Sequence, residues 1–206
     1  MKRTKPLLRT AMKPRGEIKP KVCTWCKSEF FPVRPMQKVC SPVCGQHVGR
    51  QKTAAAAVKA QREERKVDRA AKEALKTVPV LKVEAQEAFN QYVRLRDAGK
   101  GCFVCGTPLI LGGIGGGFDA GHIRSRSQAD HLRYDVRNVF GQCKPCNAPG
   151  ATKDHVMREA AARLLGKEAA EALYADNRIH KWQRDELREI RDTYRAKARQ
   201  LKKDRA

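Results

Sequence analysis

The sequence predicts an α+β protein, mainly helical, built on two small four-cysteine units stapled by zinc and flanked by long helices. Three observations predict it. All 8 cysteines fall into close pairs, Cys23 with Cys26, Cys40 with Cys44, Cys102 with Cys105, and Cys143 with Cys146. Proline-poor stretches rich in Ala, Lys, Arg and Glu follow the first two pairs and recur at the far end, the composition of helix. Apolar residues are only 41% of the chain and aromatics 6%, so small lobes need a staple to stay folded.

Charge narrows the function classes before any motif does. Lys and Arg number 44 against 22 acids, a formal charge of +22 spread along most of the chain. Such a field favours a polyanion, and nucleic acid is the first candidate because cations that neutralise phosphates release condensed counterions. A membrane surface is the weaker competitor, since no basic face is joined to a row of large apolar residues. The N-terminal "PLLRTAM" is too short for a signal peptide, and no stretch approaches a span of about 20 apolar residues. These features predict a cytoplasmic protein with no membrane partner. In a reducing compartment, paired cysteines serve as metal ligands rather than disulfides.

Residues 1–21 carry eight cations and three prolines and read as a disordered basic arm, along phosphates or simply solvated. Residues 22–45 hold the first knuckle, C-x2-C, thirteen residues, then C-x3-C. Four thiolates satisfy tetrahedral Zn2+ and leave no open position, so this is a structural site. Residues 46–81 read as a basic helical spacer. Val48, Val58, Val67 and Leu75 are too sparse for a coiled-coil seam, and Pro79 is expected to break the helix. From residue 82 to 206 the chain reads as one domain. A helix from about Lys82 to Ala98 carries Ala85, Phe89, Tyr92 and Val93 at core spacing, and later stripes are Val156, Ala160, Leu164, Leu165 and Leu187, Ile190, Tyr194, Leu201. Cys102, Cys105, Cys143 and Cys146, with thirty-seven residues between the two pairs, form the second zinc knuckle and pin the ends of what lies between. That span reads as a strand through "GFDAGHI", a loop "RSRSQADHLRY", a return at Asn138 and a helix from near Cys146. The glycine-rich "LGGIGGGFD" lacks a Gly-Lys-Ser/Thr ending and reads as a mobile hairpin tip.

The order "CxxCG", "DAGHI", "LRYDVRNV", "QCKPCN" resembles the HNH nucleases, whose ββα-metal core surrounds one metal ion. More closely, "RLRDAGKGCFVCG", "DAGHIRS", "LRYDVRNVFGQCKPCN", "RLLGKEAAEAL" and "NRIHKWQRDELREI" resemble the phage NinG (Rap) recombination endonucleases over residues 82 to 200. The resemblance implies an HNH-like nuclease core in the second unit and cleavage of branched double-stranded DNA, such as Holliday junctions and D-loops, in phage recombination. It makes His122 the general base, suited by an intrinsic pKa of about 6.5. Asn138 would orient that ring, and Asp119 and Asn147 would offer oxygen to a catalytic Mg2+ or Mn2+. Arg124 and Arg126 would clamp the scissile phosphate, with Arg133 and Arg137 also facing DNA. This chain has Gly121 where many HNH sites carry a metal ligand. On a regular strand Asp119 and His122 face opposite sides, so either a bulge eased by Gly121 unites them or the ligand comes from elsewhere.

Blander readings stand beside these. His122 could be a satisfied structural histidine, Asp119 a turn-former and the arginines a basic surface. His131 reads as exposed, Trp182 as a core anchor and His180 as a cap or DNA contact. The alternatives to a nuclease are a non-catalytic zinc-containing nucleic-acid-binding module and an RNA-binding zinc protein, although no RNA-platform motif is present. Symmetric resolution of a four-way junction would favour a homodimer, but no dimer seam is visible.

Overall fold

The computed structural model describes residues 19–112 and 116–205. The basic arm lies outside the described residues as far as residue 18, and so do Gly113–Gly115 of the glycine-rich tip. The chain divides into two compact units, one ending at Ala74 and one beginning at Leu75.

In the first unit, β1 (Lys21–Val22) pairs antiparallel with β2 (Glu29–Phe30), which makes a hairpin of the first C-x2-C turn. Helix α1 (Pro42–Ala74) follows. It starts a turn earlier than the composition suggests because Cys44 sits in its first turn, and Cys44 is its one buried residue. Residues 49–72 are all exposed, as expected of a helix polar on every side.

The second unit opens with α2 (Val78–Asp97). The helix break expected at Pro79 falls just before it, after Ala74, and α2 starts at Val78 rather than near Lys82, since a proline in the first turn sacrifices an N–H that has no helical partner. Leu81, Ala85, Phe89 and Val93 of α2 pack against Leu187 of α6 (Arg184–Lys203), with Tyr134 and Val139 completing the cluster. A second cluster joins Ile123, Leu132 and Phe103 to Ala160 and Ala161 of α4 (Asp154–Leu165) and to Ala170 and Leu173 of α5 (Lys167–Ala175). Gly166, at φ 86°, makes the corner between these two helices.

Between α2 and α4 lies a strand–strand–helix element. β3 (Phe118–His122) runs antiparallel to β4 (Val139–Cys143), and α3 (Lys144–Asn147) follows without a break. The register is one-to-one from Phe118 opposite Cys143 to His122 opposite Val139. Two strands alone are marginal in water. Here the outer edge of β4 is sealed: Gly141 N donates to Asp97 Oδ2 at 2.8 Å, Gly141 O accepts from Phe103 N at 3.3 Å, and Val139 O accepts from Arg96 at 2.8 Å. Asp97 is 3% exposed. Burial pushes its carboxyl up, but the hydrogen bonds and charge of Arg96 outweigh this and hold it below the usual range.

The described residues thus form a mainly helical α+β fold with two small sheets and two four-cysteine clusters. Among the described residues no helix is long and apolar enough to cross a membrane.

Candidate functional site

Each cysteine quartet brings its four Sγ atoms within 4.8 Å of one another. The Sγ separations of Cys26 to Cys40, Cys40 to Cys44 and Cys105 to Cys143 are 3.5, 3.6 and 3.6 Å. Zn–S bonds of about 2.3 Å in a tetrahedron put sulfurs about 3.8 Å apart, whereas a disulfide requires about 2.05 Å. Backbone amides of Cys40 and Cys143 donate to Cys23 and Cys102 sulfur at 3.4 Å each. The Thr107 hydroxyl, 3.2 Å from Cys105 Sγ, heads the interactions that draw that thiol down to about 6, toward the thiolate a metal binds. Both quartets fit a metal ion such as zinc, with every position taken by sulfur.

The second quartet, through Cys143 and Cys146, fixes the Phe118–Cys143 end of the β3–β4–α3 element, and His122 stands at the other end of β3. Its Nε2 lies 3.1 Å from the Arg133 carbonyl oxygen. A carbonyl only accepts, so Nε2 carries the proton and Nδ1 is left with a bare lone pair. No hydrogen bond from a described residue reaches Nδ1. Burial, reinforced by the charges of Arg126 and Arg133 and opposed by the carbonyl contact, lowers the ring's pKa to about 4. The imidazole is therefore neutral throughout the physiological range, in one tautomer.

Asp119 lies on the other face. The unbroken register contains no bulge, so the alternation of the strand separates Asp119 and Gly121 from Ala120 and His122. Asp119 Oδ2 accepts from Asn147 Nδ2 at 3.1 Å, and Oδ1 meets Lys144 Nζ at 3.3 Å. Strand and helix thus bring together the two residues expected to share a cation. A carboxylate beside an amide that can turn its oxygen inward, both open to water, is a donor set that suits a hard divalent ion. Gly121 is needed because the Gln142 side chain crosses it, and a Cβ there would collide with that amide.

Several expected roles are corrected by the contacts. Arg124 was read as a phosphate clamp, but it is 9% exposed. Its guanidinium donates to Leu173 O at 3.2 Å, to Asp176 O and to Asn177 Oδ1 at 2.9 Å, capping the end of α5. Asn138 was expected to hold the His122 ring, but its side-chain hydrogen bonds go to backbone instead. Wholly buried, it accepts from Arg124 N at 2.8 Å and donates to Arg124 O and Leu132 O at 3.1 Å each, closing the loop whose Arg133 carbonyl binds the ring. Arg133 is committed to Asp130 at 2.6 Å and Gln86 at 3.2 Å. Arg137 is exposed and held by Asp135 at 2.7 Å, while Arg126 is exposed near His122. The His131 side chain, expected to be exposed, is 8% exposed with Nε2 3.1 Å from Asp176, although poorly aligned for a hydrogen bond. Trp182 packs on the α2–α6 cluster and donates to Asp130 at 3.0 Å, and His180 bonds Glu186 at 3.0 Å.

Arg124→Ala is accordingly expected to act on stability. Loss of charged hydrogen bonds to otherwise buried carbonyls should cost about 3 kcal/mol, seen as a lower thermal midpoint.

A family model described as "Bacteriophage Lambda NinG protein" matches residues 15–204. The chain belongs to the NinG family. It is similar to Protein ninG of Salmonella phage P22, at 30% identity over 192 residues, covering 88% of this chain and 92% of that one. Protein ninG of Escherichia phage lambda matches with the same identity and coverage. Protein ninG of Enterobacteria phage H19B is 29% identical over 202 residues, covering 89% of this chain and 94% of its own. No solved structure matches. The NinG match thus spans the first cysteine quartet as well as the second. Sequence reasoning missed Lys144 and Gln142 beside Asp119. Strand alternation offered a signal for Gln142, which stands directly across from Asp119 in the register.

Proposed function

We propose that this NinG-family protein is a metal-dependent endonuclease of HNH type that cleaves branched double-stranded DNA. The observation that carries the reading is the neutral, single-tautomer imidazole of His122 on the same hairpin as the Asp119–Asn147 pair. An in-line displacement at phosphorus takes a proton from the entering water on one side and develops negative charge on the departing oxygen at the other. Three residues of strand separate the two groups, about 10 Å between Cα atoms. Because they face opposite sides of β3, the scissile phosphodiester must lie across the edge of that strand, with His122 on the water side and Asp119 and Asn147 on the leaving side.

In this scheme Nδ1 of His122 accepts the water proton while the Arg133 carbonyl holds the ring in place. A divalent cation such as Mg2+ or Mn2+, when held by Asp119 and Asn147, would supply charge at the leaving oxygen. Lys144 adds a positive group next to Asp119, and Arg126 and Arg137 offer exposed cations for flanking phosphates. The alternative, a zinc module that binds without cutting, gives no reason for a half-buried neutral imidazole with a free nitrogen on the stapled hairpin.

The test is nicking of an end-labelled four-way junction by zinc-loaded protein with added Mg2+, against chelator and linear-duplex controls. Cleavage should require the divalent ion and favour the junction. The base is lost only on protonation, so the rate should persist as pH falls through 6 and decline as it nears about 4. For stability the sign is the same: the unfolded histidine, with pKa about 6.5, binds protons the folded ring refuses, so the fold gains stability as pH rises between these values. No metal-dependent cutting would reject the proposal.

A further inference from the structure

Among its described residues the first cysteine unit has almost no core of its own: Cys23, Pro32 and Cys44 are the buried ones. It displays large apolar side chains instead. Phe31, Val33 and Met36 are 71%, 81% and 83% exposed, and Trp25 is 38% exposed, stacked on His47 with ring centroids 4.4 Å apart and planes at 3°. Val33 and Met36 line an open groove of about 510 Å³ with Val39, Pro42 and, between them in the chain, Arg34. The loop is held in shape by the quartet and by Gln37, which accepts from Val33 N at 2.9 Å and donates to Val39 O at 2.8 Å. Flexibility is therefore not the reason these residues are exposed.

What covers such a surface is decided by its charge. Within residues 19–45, Lys19, Lys21, Lys27, Arg34 and Lys38 stand against Glu29 as the lone acid. A partner must present flat apolar faces and closely spaced negative charge together. Unpaired nucleotides do both: each base offers a π-face to stack on an aromatic or a thioether, and each phosphate an anion for the interleaved cations. Paired duplex offers the phosphates but keeps its base faces stacked inside.

We infer that the N-terminal cysteine unit is a binding site for unpaired, single-stranded DNA, with Phe31, Val33 and Met36 as the base platform and Arg34 among the phosphate contacts. This rests on the reading of branched DNA as substrate, since branch points and displaced strands are where unpaired bases occur. It divides the labour. One unit recognises the opened strand and the other carries the candidate cleavage residues.

The experiment measures binding of a fluorescein-labelled 15-nucleotide oligo-dT by anisotropy, using the full zinc-loaded chain, with a 15-base-pair duplex as comparison. Phe31→Ala with Met36→Ala is the test variant. Both side chains are exposed and neither ligates metal, so zinc content should match the wild type. Removing two stacking partners should weaken oligo-dT binding by at least roughly 10-fold with duplex affinity within about twofold, and the salt slope should not change because no ionic contact is removed. Equal oligo-dT affinity in both proteins, or equal losses on single strand and duplex, would overturn the inference. So would sedimentation showing that the wild type self-associates through these residues while the variant stays monomeric, since the patch would then join two copies. His122→Ala should bind oligo-dT like the wild type. If the wild type binds oligo-dT through Phe31 and Met36 yet cuts no junction, the nuclease reading fails and the binding site stands.

Discussion

His122→Ala is expected to slow junction cleavage by about 10²- to 10⁴-fold, the range general-base catalysis supplies, while junction affinity stays within a few-fold. The ring makes one hydrogen bond, to the Arg133 carbonyl, and its removal takes away no positive charge at neutral pH. Affinity, carried by cations, should therefore survive. Replacing a half-buried ring that is held neutral also removes a group that opposes folding below pH 6, so the variant should be less acid-sensitive than the wild type. Single-turnover cleavage of a labelled junction beside a binding titration reads both quantities. Equal cutting by the two proteins would reassign His122 as a structural residue.

Cys102→Ser should have the larger effect on the fold. Cys102 is buried, its sulfur accepts from Cys143 N, and it packs with Leu109 and Phe118 beneath the hairpin. Binding of a structural zinc in small domains contributes on the order of 10 kcal/mol, as much as the net stability of a whole domain. The variant is expected to carry one zinc per chain in place of two and to lose the cooperative melting of the second unit. The first quartet lies in a separate unit and should keep its metal. Elemental analysis with a thermal melt followed by circular dichroism reads this, and two retained zincs with an unchanged melt would refute it.

What the sequence made legible follows from where the constraint lies. The quartets were readable because ligand spacing is a local property. The α2 face was readable because Ala85, Phe89 and Val93 recur at helical period, and all three are buried. Arg124 was misread because it opens a polar run that becomes exposed at Arg126, whereas its partners are carbonyls about fifty residues away at the end of α5. Asn138 was recognised as important and given the wrong contact, since nothing local distinguishes an amide that bonds a ring from one that ties down a loop. Asp97 and Gln86 look like ordinary polar helix residues, yet both are buried by contacts that only the folded chain creates. The opposed faces of Asp119 and His122 followed from strand alternation, and the register then removed the bulge that could have joined them.

The sealing of β4 by Asp97, Arg96 and Phe103 limits how this hairpin can meet other molecules. With Val139 O and both polar atoms of Gly141 already satisfied, that side has no ladder to extend. It can neither recruit a peptide by strand addition nor template the stacking of identical chains into fibres. Along its β4 edge a short two-stranded ribbon in a highly cationic protein thereby avoids a common route to aggregation, and recognition there is left to side chains.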